Sequence, residues 1–458
     1  MMCFAALPTL AQTTTKPVNV VYILADDLGY GDLGCYGQKL IETPNIDRMA
    51  ANGMLFTQHY AGCTVSAPSR CSLMTGLHTG HTQVRGNFEI DPEGQAPLDA
   101  GTYTLGKMFK AGGYVTGIFG KWGLGYPESV STPNKMGFDE FYGYNCQRKA
   151  HSFYPEYLWR NNEKEYLAGN ADLGRQTYSA DLIHNEALKF IRANKQKPFF
   201  AMLTYTLPHA EINLPHDSVY DKYASRFEDT PYVQMSSGDY FSSERPRASF
   251  AAMVERLDRY VGEVIEELKK QGLDGNTLVI LTSDNGPHRE GGADPDFFQS
   301  SGPLRGTKRD MYEGGIRVPM IVYYPSWIKA GVKTDFPCAF WDVMPTFAEL
   351  LHIKLPVATD GISFLPTLKG KGKQKRHDYF YWEFHEEGGK IAVRMGDWKG
   401  IKLDYGQHPE APILLFDLSK DIHEDNNIAS KHPGVVKRME AIIQSKRTES
   451  ELYKFGRK

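Results

Sequence analysis

The sequence predicts an α/β fold, a doubly wound and mostly parallel sheet, followed by a smaller C-terminal subdomain of antiparallel sheet plus helix. Three observations carry that expectation: uninterrupted apolar, β-branched runs of strand length, amphipathic stretches of helical period between them, and a change to short strands after residue 370. The first run, 18–25 (VNVVYILA), has no polar face, as expected of a strand buried on both sides, and it stops at Asp26-Asp27. Thr43-Pro44 then reads as the N-cap and first residue of a short helix. Runs like the first recur at 199–205, 277–283 and 318–323. The clearest helix is 250–270, where Val254, Leu257, Val261, Ile265 and Leu268 repeat at helical spacing against a charged face. Alternating strands and helices place a ligand site beyond the carboxyl ends of the strands, where Asp26 and Asp284 stand. After the solvated Lys/Gly loop 369–375, short strands are expected at 379–384, 390–394, 398–403 and 413–418, and a helix at 434–445. The expected division is a large domain, 17–370, and an α+β subdomain, 371–458.

Composition excludes several partners. With 52 basic against 55 acidic residues, no basic stripe is available to track a phosphate backbone, so nucleic acid is excluded. No run of 18 apolar residues spans a membrane. Residues 1–16 contain an apolar run that ends in small residues, read as the remnant of a signal peptide, which places the protein in the periplasm or outside the cell. The cysteines Cys3, Cys35, Cys63, Cys71, Cys146 and Cys338 form no C-x-x-C pair, so buried thiols are expected rather than a zinc knuckle or disulfide scaffold.

Acidic and amide residues follow predicted strands at Asp26-Asp27 and at Asp284-Asn285, and a loop begins at Ser66. Carboxylates and a carboxamide without nearby Cys or His make an oxygen-only shell, suited to calcium or magnesium. Any one of these Asp residues alone reads better as a helix cap. Two such pairs at the strand ends of one sheet point to a metal.

Residues 66–76 read S-A-P-S-R-C-S-L-M-T-G. This resembles the signature of the type I sulfatases of the alkaline-phosphatase superfamily, matched at Ser66, Pro68, Ser69, Arg70, Thr75 and Gly76. Further blocks follow in that family's order: ADDLGYGD at Asp26-Asp27, GKWGLG at Lys121, PHA at His209, SDNGPH at Asp284 to His288, and LRGTKRDMYEGGIRVP at Lys308. The resemblance implies an alkaline-phosphatase-like fold and hydrolysis of sulfate monoesters. It implies Ca2+ held by Asp26, Asp27, Asp284, Asn285 and residue 66, and a formylglycine (3-oxoalanine) formed from Ser66. Serine at 66 resembles the bacterial carbohydrate sulfatases matured by a serine-type radical enzyme; replacement of a native Cys is the other origin of such a residue.

The chemistry agrees with the resemblance. A serine that attacked sulfur would be left sulfated, whereas an aldehyde hydrate carries a second hydroxyl able to expel the sulfate. Arg70 and the helix N-terminus would favour its oxyanion form. Lys121 and Lys308 would bind sulfate oxygens, and His209 is the candidate general acid, since a sugar alkoxide leaves poorly unless protonated. Gly123 departs from the resemblance: it stands where many members carry a His thought to assist expulsion. His288, His78, His81 and His151 are the candidates to replace it.

The loops at Arg85-Gly86-Asn87, 147–154 (QRKAHSFY) and 382–387 (WEFHEE) are polar and aromatic, and suit a sulfated glycan. Arg85, Arg148, His151, His288 and His385 are its candidate contacts. A galactose or N-acetylgalactosamine residue is the expected sugar. The rival functions are a phosphatase or phosphodiesterase of the same superfamily that uses unmodified Ser66, and an inactive glycan-binding homologue.

Overall fold

The strand β1 (Asn19–Ala25) has all seven residues buried and lies between two parallel neighbours in the computed structural model, which describes residues 16–236 and 240–455. The expected signal-peptide remnant, apart from Lys16, and Cys3 lie outside the described residues. Burying each large aliphatic side chain of such a run stabilises by about 1.5–3 kcal/mol. The run therefore sits at the centre of the sheet.

The other strands of the large sheet are β2 (Met54–Tyr60), β3 (Val115–Lys121), β4 (Glu140–Tyr144), β5 (Tyr157–Arg160), β6 (Glu163–Tyr166), β7 (Phe199–Thr204), β8 (Thr277–Ser283), β9 (Arg317–Tyr323), β10 (Val332–Thr334) and β11 (Cys338–Ala339). Their order is β10-β2-β9-β8-β1-β7-β3-β4-β5-β6, with β11 also paired to β2. From β8 to β4 the strands are parallel, and their carboxyl ends open on one side. The run at 318–323 forms β9, but it pairs antiparallel with both β8 and β2. A strand covered on both faces has the same apolar composition in either direction, so composition could not set its polarity.

Helices cover both faces: α1 (Pro44–Ala51), α2 (Ser66–Thr75), α3 (Leu105–Ala111), α4 (Ser179–Ala193), α5 (Ser218–Ala224) and α6 (Pro246–Lys270) among them. Helix α6 starts at Pro246, four residues before the apolar period becomes legible, and buries Val254, Leu257, Val261, Ile265 and Leu268 as the period predicts. Thr43 precedes α1, yet its side chain makes no capping bond. It accepts instead from Gly34 N at 2.8 Å. The free N–H groups of Asn45 and Ile46 donate to Asp258 of α6 at 3.2 and 2.7 Å, so the cap comes from a distant helix.

The small antiparallel sheet is β12 (Phe380–Phe384), β13 (Lys390–Met395), β14 (Trp398–Lys402) and β15 (Leu414–Asp417), followed by the helix Pro433–Ser445. It is tied to the large sheet by buried charges. Lys399 of β14 meets Glu313 at 2.8 Å and Glu424 at 3.2 Å, and Glu313 also meets Arg317 of β9 at 3.3 Å. Burial alone would raise the Glu313 carboxyl, but Lys399 and the arginines bring it down to about 2. The tail bridges the two parts: Thr448 N donates to Gly80 O, in the loop after α2, at 2.9 Å, and Arg447 pairs with Glu383 of β12 at 2.6 Å. The five described cysteines are free thiols, four of them buried.

Lys399→Ala removes the cation and leaves Glu313 buried with less than its full pairing. It is expected to destabilise the protein by about 3–5 kcal/mol, read as a large fall in Tm by calorimetry.

Candidate active site

At the open ends of the parallel strands, Asp26 and Asp27 follow β1, Lys121 ends β3, and Asp284 and Asn285 follow β8. Helix α2 points its N-terminus at them. Its first residue, Ser66, donates from Oγ to Asp26 Oδ1 at 3.0 Å and lies 3.2 Å from Lys121 Nζ. The Ala67 N–H donates to Asn87 Oδ1 at 3.0 Å, and Pro68 has no N–H to satisfy. The helix stops at Gly76, whose φ of 71° is the left-handed value that favours glycine there.

The side chains form one buried network. Arg70 Nε donates to Asp284 Oδ2 at 3.0 Å, and its NH1 donates to the Lys121 carbonyl at 2.9 Å. Lys121 Nζ donates to Asp26 Oδ2 at 2.6 Å. Asn285 Nδ2 donates to Asp27 Oδ1 at 2.6 Å, and Asp27 N donates to Asp284 Oδ1 at 3.2 Å. On the far side, Lys308 Nζ reaches Asp27 Oδ2 at 2.9 Å, Glu290 Oε2 at 3.0 Å and His209 Nε2 at 3.1 Å. Every residue expected to hold the metal or act on the ester, from Asp26 to Lys308, is thus brought to one place.

Electrostatics follow from burial. Desolvation would raise the Asp27 carboxyl, but Lys308 and the histidines hold it below its ordinary value. Burial lowers Lys121 despite the opposing pull of Asp26, whereas Lys308, also penalised by burial, is raised by Asp27 and Glu290. His209 is pushed down to about 3, first by burial and then by Lys308. Its Nδ1 contacts the Ala210 carbonyl, which can only accept, so Nδ1 carries the proton. Nε2 is then the bare nitrogen that accepts from Lys308. As placed, the shared proton sits on Lys308 Nζ, and His209 Nε2 is its acceptor.

His209 lies between two other rings. His151 stacks on it with centroids 4.9 Å apart, and His288 stacks on the other side at 5.6 Å. Of the four candidates to replace the His absent at Gly123, these two are at the site. His78 and His81 lie beyond the carboxyl end of α2, stacked on each other beside Asp360. That helix has ten residues, so they stand about 15 Å from Ser66 along its axis.

The other substrate-contact candidates separate. Arg85 is buried, and its guanidinium is taken up by the Thr82 carbonyl, Thr448 and Glu383, so its expected substrate role is corrected to a structural one. His385 gives Nε2 to Glu383 at 2.8 Å, while its Nδ1 is buried without a partner. Beside it, a cleft is lined by Gly86, Asn87, Phe88, Glu386 and Leu452. Asn87, which caps α2, takes Glu386 Oε1 on its own N–H at 2.7 Å, so this cleft adjoins residue 66. Arg148 is exposed and paired with Glu89 at 2.9 Å.

Sequence reasoning missed Glu290, Tyr240 and Arg309. Glu290 anchors Lys308, Tyr240 donates to it at 3.2 Å, and Arg309 pairs with it at 2.5 Å. Its place two residues after His288 was the available signal.

This arrangement matches known proteins along nearly its whole length. The family model described as Sulfatase matches residues 18–353. The chain belongs to the sulfatase family. The activity of the family, hydrolysis of sulfuric esters, is the activity of this enzyme. A second model, N-sulphoglucosamine sulphohydrolase, C-terminal, matches residues 306–449. The sulfatase is 34% identical to arylsulfatase A of Bos taurus, over 90% of this chain and 83% of that protein. It is 29% identical to N-acetylgalactosamine-6-O-sulfatase of Bacteroides thetaiotaomicron, over 95% and 94%. A solved structure described as Ps i-CgsB in complex with k-i-k-neocarrahexaose superposes with a TM-score of 0.78 at 28% identity, over 96% and 95%.

The Arg70 contacts need a planar fork that a lysine lacks. Arg70→Lys is expected to lower kcat/KM on an aryl sulfate by about 10–100-fold although the charge is kept, because Asp284 and the Lys121 backbone lose separate hydrogen bonds of about 1.5–3 kcal/mol to a charged group.

Proposed function

We propose that this sulfatase removes sulfate from a sulfated carbohydrate, a galactose or N-acetylgalactosamine residue, after Ser66 has been oxidised to formylglycine by a serine-type radical maturating enzyme. The observation that carries the reading is residue 66 at the mouth of a helix, hydrogen-bonded to Asp26 and Lys121 at the strand ends. Among relatives, an N-acetylgalactosamine-6-O-sulfatase and a protein solved with k-i-k-neocarrahexaose support the sugar. Among the described residues no helix is long and apolar enough to cross a membrane, and a periplasmic or secreted location suits work on a polymeric glycan.

Asp26, Asp27, Asp284, Asn285 and the oxygen of residue 66 would hold Ca2+. The donor set fits: it is rich in carboxylates, and Asn285 Oδ1 is buried with no hydrogen-bond partner, as expected of an oxygen kept for a cation. Calcium there would withdraw charge from the ester and from the oxygen of residue 66. The formylglycine hydrate would supply two hydroxyls on one carbon, one to attack and one to expel sulfate.

The protein's own residues do the rest. Arg70 fixes Asp284 and, through the Lys121 carbonyl, the end of β3. Lys121 and Lys308 approach from opposite sides and would neutralise the sulfate oxygens as negative charge moves toward the leaving oxygen. Lys308, backed by His209 Nε2 and anchored by Glu290, would pass the proton to that oxygen. His151 and His288 brace the His209 ring. His151, half-buried, would offer its edge to a sugar hydroxyl, whereas the expected contact from His288 is corrected, since Pro208 O and Glu290 N take both of its ring nitrogens and the ring is buried. Arg148 lies on the rim, and His385 and Phe88 line the cleft into which the glycan would run.

Two outcomes test this reading. His209→Ala should lower kcat/KM for a sulfated sugar by about 10²–10⁴-fold and for 4-nitrophenyl sulfate far less, because the aryl oxide leaves without a proton. Equal loss on both substrates would remove the proton role. Calcium at about 100 times its Kd should stabilise the wild type by about 2.7 kcal/mol in thermal melts and leave Asp27→Ala unshifted; a chelator should abolish turnover.

A further inference from the structure

The near-even balance of charge over the whole chain conceals a local excess. Lys369, Lys371, Lys373, Lys375 and Arg376 crowd the loop before β12, and Lys329 and Lys333 lie on the segment that contains β10. All seven are exposed. The two segments meet at both ends: Lys369 Nζ lies 6.0 Å from the centre of the Trp327 ring, and the Arg376 guanidinium 5.4 Å from that of Phe336. Within 327–336 and 369–378 the carboxylates are Asp335 and Asp378. Among the described residues no ion pair joins any of the seven cations to these or to another acid.

The loop that the sequence offers only as a solvated turn is held in shape. Gln374 Oε1 accepts from Thr367 N at 3.0 Å and from its hydroxyl at 2.7 Å, and Gln374 Nε2 donates to Ser363 O at 2.8 Å. Cations fixed within about 8 Å of one another are not screened by physiological salt, so their repulsion costs stability until a polyanion covers them. Position and composition select that polyanion. β10 is four strands from β1 in the sheet, about 19 Å at roughly 4.8 Å per strand, so one occupant that touches both the cations and the active site is a polymer. No large apolar side chain of either segment is exposed, so nothing there enters a bilayer. The sulfuric esters that this enzyme hydrolyses are anions, and a sulfated polysaccharide repeats that charge along its length.

We propose that this basic face is an exosite for a sulfated polysaccharide chain, which it holds beside the enzyme so that esters along the chain reach the active site at a raised effective concentration. This rests on the carbohydrate reading above and makes the substrate a polymer rather than a free sugar. The seven cations take no part in the chemistry.

The test is affinity electrophoresis of the full-length protein in chondroitin sulfate, an anionic polymer containing N-acetylgalactosamine, with sulfate release from that polymer and from 4-nitrophenyl sulfate measured beside it. Lys371→Gln/Lys373→Gln/Lys375→Gln is expected to weaken polymer binding about tenfold at about 0.15 M salt and to flatten its salt dependence. KM on the polymer should rise with it, while kcat and turnover of 4-nitrophenyl sulfate hold. Lys329→Gln/Lys333→Gln carries the test if the triple variant does not fold. Lys195→Gln/Lys197→Gln/Lys270→Gln removes the same charge from exposed positions outside the two segments and is expected to bind as the wild type does. No polymer binding by the wild type, unchanged binding in the loop variants or equal weakening in the control overturns the exosite. So does loop-dependent binding to phosphatidylglycerol vesicles or duplex DNA in place of the polymer. Binding is read whether or not the polymer is turned over, so wild-type protein that binds it through the loop yet releases no sulfate would fault the proposed function and leave the exosite standing.

Discussion

The constraint on which the rest of the structure depends is the confinement of Asp26, Asp27 and Asp284 at the ends of two adjacent parallel strands. Carboxylates packed this closely and away from water repel one another, and each carries a desolvation penalty of several kcal/mol. The fold answers with three buried cations, each from a different element. Arg70 comes from the second turn of α2, Lys121 from the end of β3 and Lys308 from the loop before β9. None has its partner nearby in sequence. The charge balance therefore exists only once the sheet, the helix and the loop have assembled.

The small sheet supports this arrangement from outside. Lys390 of β13 donates to the Arg309 carbonyl at 2.9 Å, and Arg309 pairs with Glu290, which anchors Lys308. Glu386, just after β12, holds Asn87, which caps α2 beside residue 66. Through these two chains of contacts the C-terminal subdomain fixes both the lysine at one side of the site and the helix at the other. The buried Lys399–Glu313 pair keeps the two sheets in register so that these contacts can form.

What could be read from the sequence was whatever is encoded locally. The apolar run of β1 is buried along its length, and the period of α6 names its buried face, because each pattern reports an environment that its own residues require. The signature from Ser66 to Gly76 and the four later blocks led to the site for the same reason. Features set by distant pairing were not legible. The direction of β9 leaves no trace in its composition. The cap of α1 comes from Asp258, more than two hundred positions along the chain. Arg85 looked like a pocket residue because nothing beside it in sequence reveals that Glu383 and Thr448 enclose it. The stacking that separates His151 and His288 from His78 and His81 likewise depends on which loops meet.

The chemistry of the site turns on residue 66. Its hydroxyl is held by Asp26 and Lys121 in a site that would work through an aldehyde hydrate rather than through serine itself. The most direct measurement is the mass of the proteolytic peptide spanning residue 66, taken from protein made in its native host. The expected peptide lies about two mass units below the serine form, the loss of two hydrogens on oxidation to the aldehyde. An unmodified serine in protein that nevertheless hydrolyses sulfate esters at full rate would contradict it.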